Sequence, residues 1–371
     1  MKIDAYVVEE INAPFVRETL EIDEPGPGEV LVKVKAVGVC HTDLNTQSGD
    51  MPLPLPGVFG HEGAGVVEKI GEGVTQVEVG DHVILGWPYC GTCRNCRRGE
   101  HRYCERIGEG LLAGHRLLGP KAGESGYRRE DGTTVSGHFF GQSSFANYSL
   151  TFASMVIKVD KDIPFELLGP LACGITTGAG AVFNAAQPHP GDSIVVYGAG
   201  AVGLAAIMAA TNTPANEIIA IDLHDSRLEL AKELGATHVI NSKKADAPAE
   251  IERILGGTAD FAIDCTGVIS VIEEAADVVG MLGTLILVGG APAEARFSVD
   301  HMRTLFGKRI VGTLGGSSNS QDLIPALLGL YKQGRFPFDR LVKSYDFAQL
   351  DTAINDAASG STIKGVLTLN D

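Results

Sequence analysis

The chain runs to 371 residues, longer than one hydrophobic core usually organises, and 44% of it is apolar against 20% charged, a balance that excludes a disordered or fibrous protein. A formal net charge of −16 excludes nucleic acid and anionic membrane surfaces as partners, because both are gripped through Lys/Arg clusters. No apolar leader opens the sequence and no later apolar run reaches membrane length, so a soluble, cytoplasmic, two-domain protein is expected, with its seven cysteines reduced.

Up to about residue 90 the pattern is one of short alternating strands broken by glycine, such as Glu29 to Val37 and Gly65 to Gly71, which predicts a β-rich, barrel-like domain. Within it lie Cys40, in Gly38-Val39-Cys40-His41-Thr42-Asp43, and the triplet Gly60-His61-Glu62. A lobe over about 88–106 follows, where Cys90, Cys93, Cys96 and Cys104 are spaced C-x2-C-x2-C-x7-C among turn formers. Four thiolates converging on one ion form a closed tetrahedral site, structural in kind, and the ion that suits them is zinc. The bacterial ferredoxin spacing ends in x3-C-P, which Cys104 followed by Glu105 does not match. Residues 105–140 are polar and glycine-rich and read as a long loop.

Cys173 stands in Gly169-Pro170-Leu171-Ala172-Cys173-Gly174, and from about 175 strands and helices alternate, predicting a doubly wound parallel sheet. The strand Ser193 to Tyr197 runs directly into Gly198-Ala199-Gly200-Ala201-Val202-Gly203, a G-x-G-x-x-G motif opening a helix. Asp222 ends the next strand, where a carboxylate accepts from both adenosine ribose hydroxyls and repels a 2′-phosphate. Arg227 alone would suggest NADP, yet Asp222 argues for NAD. After 313 a helix, Asp322 to Lys332, and a final strand, Gly365 to Leu369, are assigned back to the first domain, giving domains 1–174, 175–313 and the return segment 314–371.

The run Gly60-His61-Glu62-x2-Gly65-x5-Gly71-x2-Val74 resembles the zinc signature of the medium-chain alcohol dehydrogenases, and with the cysteine lobe and glycine motif the resemblance extends from about residue 20 to the end. It implies a GroES-like β-rich catalytic domain joined to a Rossmann domain. It further implies that Cys40, His61 and Cys173 bind a catalytic zinc with one position left for water or substrate, giving two zinc ions per chain. Glu62 would then lie beside the metal, and Asp43 would orient the histidine ligand. Thr42 would carry the alcohol proton outward, although Asn45 stands where many relatives place the next histidine of that relay. By the same resemblance His41 and Lys364 meet the cofactor pyrophosphate, Lys364 being otherwise a solvated lysine, and Thr177, Val202 and Val288 surround the nicotinamide.

Gly137 to Phe145 and Gly169 to Ile175 are similar to the aryl-alcohol, or benzyl-alcohol, branch, which includes enzymes of allylic terpene alcohols; Trp87, Phe140 and Ile175 would then wall an apolar pocket. The expected activity is reversible oxidation of such a primary alcohol to the aldehyde with NAD. Alternatives are a glutathione-dependent formaldehyde dehydrogenase, a general aliphatic alcohol dehydrogenase, and a non-enzymatic, zinc-stabilised nucleotide sensor. The partners expected are the small-molecule alcohol or aldehyde and further copies of the chain, as a dimer or tetramer.

Overall fold

A computed structural model describes residues 1–369 and divides the chain into two compact units, Met1–Cys173 with Asn319–Pro325 and Asp339–Asp371, and Gly174–Ser318 with Ala326–Phe338.

The first unit is built on two sheets. One has the order Gly57–Val58, Lys2–Val8, Val16–Ile22, Tyr127–Arg128, Thr134–Val135. The other runs Val156–Val159, His82–Leu85, Gly63–Ile70, Glu29–Gly38, Lys364–Thr368, Val342–Asp346, with Tyr148–Phe152 also paired to Glu29–Gly38. Strand Glu29–Gly38 organises both cores, because successive side chains of a strand point to opposite faces. Leu31 joins Ile3, Leu20 and Val58 on one side, while Val30 and Val32 join Val67 and Val83 on the other. Each such fully buried aliphatic contributes about 1.5–3 kcal/mol relative to exposure. This strand ends two residues before Cys40 and so delivers the first candidate ligand from a rigid support.

The segment read as a long loop, 105–140, is ordered. It forms a helix, Ile107–Leu112, and its two short strands extend the first sheet. The correction has a physical cause that polarity alone hid: Arg116, 1% exposed, donates from Nη2 to Asp23 Oδ2 at 2.9 Å and from Nε to Glu29 Oε1 at 2.7 Å, pinning the segment to the strands.

The second unit holds six parallel strands in the order His238–Asn241, Glu217–Asp222, Ser193–Tyr197, Ala259–Asp264, Val279–Leu287, Arg309–Gly312. This is the doubly wound order 3-2-1-4-5-6, with ligand sites expected at the carboxyl ends of the strands. Val195, Ile219, Ala262 and Leu285 pack against Ile251 and Ile272 of the helices Ala247–Leu255 and Ile269–Val278. Helix Ala201–Ala210 is apolar throughout and buried from Gly203 on. No single helix among the described residues is long and apolar enough to cross a membrane.

Two boundaries differ from the sequence reading. The first unit ends at Cys173, and the return segment is divided: the break falls at Pro325, inside helix Ser320–Lys332, and Ala326–Phe338 stays with the second unit. Leu327, Phe336 and Phe338 are buried there, and Asn212 Nδ2 donates to the Arg335 carbonyl at 3.0 Å.

Candidate active site

Cys40 caps a short helix, His41–Gln47, whose first turn carries Asp43. The fully buried Asp43 carboxylate gathers three groups: Oδ2 accepts from the Cys40 N–H at 3.0 Å, and Oδ1 from the Gly60 N–H at 3.2 Å and from His61 Nδ1 at 3.0 Å. A neutral imidazole that donates its Nδ1–H to Asp43 keeps its lone pair on Nε2, which is buried and has no hydrogen-bond partner. Gln142 holds the other side of the histidine, donating to the carbonyls of His61 at 2.9 Å and Leu85 at 3.0 Å.

Cys173 arrives from the turn Gly169–Ala172. The turn presses on the backbone at Glu62, where a Cβ on Gly169 would come 2.5 Å from the Glu62 carbonyl oxygen. Ligand atoms of Cys40, His61, Glu62 and Cys173 all lie within 4.8 Å of one another. Glu62 Oε2 is buried without a partner, and a Cβ on Gly38 would come 2.0 Å from it, so this close approach requires glycine at 38. Hydrogen bonding to Cys173, aided by the charges of Lys364 and His61 against burial, holds the Cys40 thiol well below its usual range; sharing with Cys40 and burial push Cys173 up. Orphaned lone pairs on His61 and Glu62 beside a thiolate form a donor set that fits a cation, with Cys40, His61 and Cys173 as its ligands and Glu62 in reach.

Lys364 does not lie in solvent: it is 4% exposed, donating to Glu62 Oε1 at 2.7 Å and to the Val39 carbonyl at 3.1 Å. Burial works against its charge, and Glu62 with Cys40 more than restores it. Thr42 Oγ1 lies 3.7 Å from the Cys40 sulfur, and His41 is exposed on the first turn.

Phe140 packs on the His61 ring at a ring separation of 4.6 Å, and Trp87 meets Phe140 edge-on at 5.0 Å. Three non-glycine residues of this turn, His138, Phe140 and Ser143, have φ of 57°, 51° and 56°, a conformation kept only where neighbours over-determine it. Here Ser143 Oγ bonds the Phe139 N–H at 2.9 Å and the Val58 carbonyl at 2.6 Å. The structure groups Trp87 with Phe140 in the first unit; Ile175, fully buried, lies in the second unit on helix Gly174–Gly180.

The sulfurs of Cys90, Cys93, Cys96 and Cys104 also lie within 4.8 Å of one another. Backbone N–H groups point at them, Cys93 to Cys90 at 3.3 Å, Cys96 to Cys93 at 3.4 Å, Cys90 to Cys104 at 3.3 Å and Arg106 to Cys104 at 3.4 Å. Amide donors of this kind stabilise thiolates, and four thiolates fit one closed metal site.

In the second unit Gly198 has φ 92°, Gly200 faces open space, and a Cβ on Gly203 would come 1.8 Å from the Gly198 carbonyl oxygen, so the turn demands glycine at both ends. Asp222 Oδ2 accepts from the Ala199 N–H at 2.8 Å and Oδ1 from the His224 N–H at 2.9 Å; Arg227 Nη1 lies 3.8 Å from Oδ2. Thr177, Val202 and Val288 are half-buried in this unit, Val288 just past strand Val279–Leu287. Sequence reading missed Asp264, fully buried at the next strand end, which accepts from the N–H groups of Thr266 and Gly267 and shapes the neighbouring loop. It also missed Gln142 and Arg102, whose roles depend on contacts with no local signal.

Comparison with known proteins agrees with this geometry. Residues 26–161 match the family model for the alcohol dehydrogenase GroES-like domain and 201–332 that for zinc-binding dehydrogenases. A geraniol dehydrogenase of Castellaniella defragrans is 37% identical across 98% of this chain and 96% of its own length. The crystal structure of benzyl alcohol dehydrogenase from Acinetobacter calcoaceticus superposes with a TM-score of 0.95 at 44% identity, covering 100% of both chains. That of an alcohol dehydrogenase zinc-binding domain protein from Burkholderia ambifaria gives 0.96 at 44%, again over 100% of both.

Proposed function

The chain belongs to the zinc-dependent medium-chain alcohol dehydrogenases, and from that membership we propose that it oxidises a primary aromatic or allylic alcohol to the aldehyde, reversibly, with NAD as hydride acceptor. The observation carrying the substrate reading is the aromatic wall that begins on the metal ligand itself, His61 against Phe140 against Trp87. A flat apolar surface beside the reacting centre suits a planar alcohol. Likeness to a benzyl alcohol and a geraniol dehydrogenase supports the same class.

We assign one zinc to Cys40, His61 and Cys173 and a second to the four-cysteine lobe. When bound, the catalytic zinc supplies Lewis acidity that makes an alcohol hydroxyl acidic near neutral pH, and the nicotinamide supplies the hydride acceptor. Asp43 fixes the tautomer and ring plane of His61 through Nδ1. Thr42 Oγ1 takes up the hydroxyl proton and passes its own onward; the Asn45 amide is no base at this pH, so water completes the exit. Phe140 and Trp87 exclude water from the reacting end. Asp222 holds the adenosine ribose, and Arg227 beside it neutralises part of its charge. Homo-oligomerisation is proposed as well, supported by the exposed apolar side chains Met281, Leu282, Met302, Leu305 and Phe306 on the second unit.

The test is NAD reduction with benzyl alcohol, geraniol, ethanol and S-(hydroxymethyl)glutathione. Benzyl alcohol or geraniol should exceed the other two at least tenfold in kcat/KM; preference for ethanol or the glutathione adduct would overturn the substrate reading.

A further inference from the structure

Beyond Trp87 the wall ends in a charge. The Arg102 guanidinium stacks on the Trp87 ring, Cζ 4.2 Å from its centroid, and is 3% exposed. Its Nη2 donates to Ser320 Oγ at 2.8 Å, but Nε and Nη1 have no hydrogen-bond partner, and neither has the buried indole Nε1 of Trp87. A buried, unpaired donor is costly, and more so on a charged group, so three in one cluster need a reason. No carboxylate hydrogen-bonds Arg102 among the described residues.

All three free N–H groups are donors, two of them on a planar cation built to grip a carboxylate fork. We propose that Arg102 and Trp87 form an anion subsite of the substrate pocket, so that the preferred substrate is a planar alcohol carrying a carboxylate away from its hydroxymethyl group. The order of contacts supports this: His61, Phe140, Trp87 and Arg102 follow one another in ring-to-ring and ring-to-cation contact, leading from the reacting centre to the guanidinium. The carboxylate would supply the acceptors that the cluster lacks and neutralise the buried cation. The inference rests on the aromatic-alcohol reading and narrows it.

Trp87 is the sole tryptophan of the chain, so its emission reports this subsite without any turnover. In the first arm the zinc-loaded enzyme is titrated with 4-methylbenzoate and with p-xylene. Saturable quenching by the carboxylate at concentrations where p-xylene has no effect is expected, and equal response to both, or to neither, overturns the subsite. In the second arm kcat/KM is compared for benzyl alcohol and the three hydroxymethylbenzoates. At least one carboxylated alcohol should exceed benzyl alcohol tenfold or more; Arg102→Met should bring that ratio to one or below, and Arg102→Lys should keep part of it. Oxidation of benzyl alcohol without a carboxylate preference removes this inference alone. If none of these alcohols is oxidised, the aromatic-alcohol reading falls, and the quenching arm still decides whether an anion binds at Arg102.

Discussion

Asp222 Oδ2 accepts the N–H of Ala199 at 2.8 Å, so the acid at the end of one strand braces the glycine turn at the end of its neighbour. The carboxylate thereby holds the turn, and in the function proposed above it also faces the ribose. NAD should be preferred over NADP by at least about a hundredfold, on the order of 3 kcal/mol, since a 2′-phosphate would meet this carboxylate. Asp222→Gly should shrink the ratio and also raise the KM for NAD, because the turn loses its brace. Steady-state kinetics with both cofactors reads both effects; an unchanged ratio would displace Asp222 from the ribose.

Asp43→Asn should separate the two metal sites. An amide cannot accept from Cys40, Gly60 and His61 as a carboxylate does, and losing such a partner typically costs 10–100-fold in metal affinity. Elemental analysis after mild chelation should fall from about two zinc ions per chain to about one, with turnover lost.

Cys93→Ser and Cys173→Ser should fail in different ways. Cys93 belongs to a closed four-thiolate set, so its loss should lower the melting temperature by many degrees. Cys173→Ser should leave melting within a few degrees of wild type and abolish turnover. Calorimetry beside an activity assay distinguishes them, and equal destabilisation would argue against the division into structural and catalytic ions.

His138 gives stability a pH dependence of known sign. Burial, with the charges of Arg116 and His115, lowers its pKa to about 3. Below about 6.5 the unfolded chain therefore binds a proton that the folded chain does not, and stability falls as pH drops from 6.5 towards 3. The loss between pH 7 and pH 5 should be about 2 kcal/mol. His138→Asn, which tolerates the positive φ, should flatten that slope in denaturant titrations.

The metal and cofactor motifs were legible because they are local: four cysteines within one lobe, or three glycines between a strand and a helix, carry their geometry in their spacing. Long-range partners were not. The resemblance points Lys364 at the cofactor, but nothing local in the sequence shows the partner that the fold brings to it, Glu62, 302 positions away. Arg102 sits among Arg94, Arg97, Arg98 and Arg106, and nothing in the sequence tells the buried one from the solvated ones. The split of the return segment at Pro325 was equally hidden, since amphipathic spacing shows that a helix buries a face but not against which unit.

Strand Lys364–Thr368 pairs with Glu29–Gly38, and it carries the lysine that meets Glu62. On the ribosome residues 1–173 thus emerge first yet lack two strands of their sheet until residue 368 has been made. At about 5–20 residues per second, Glu62 waits roughly 15–60 s for Lys364. The parallel sheet of 193–312 is translated meanwhile from one continuous stretch, so the usual N-to-C order of domain folding is inverted: the parallel sheet can form before the sheet that Lys364–Thr368 completes.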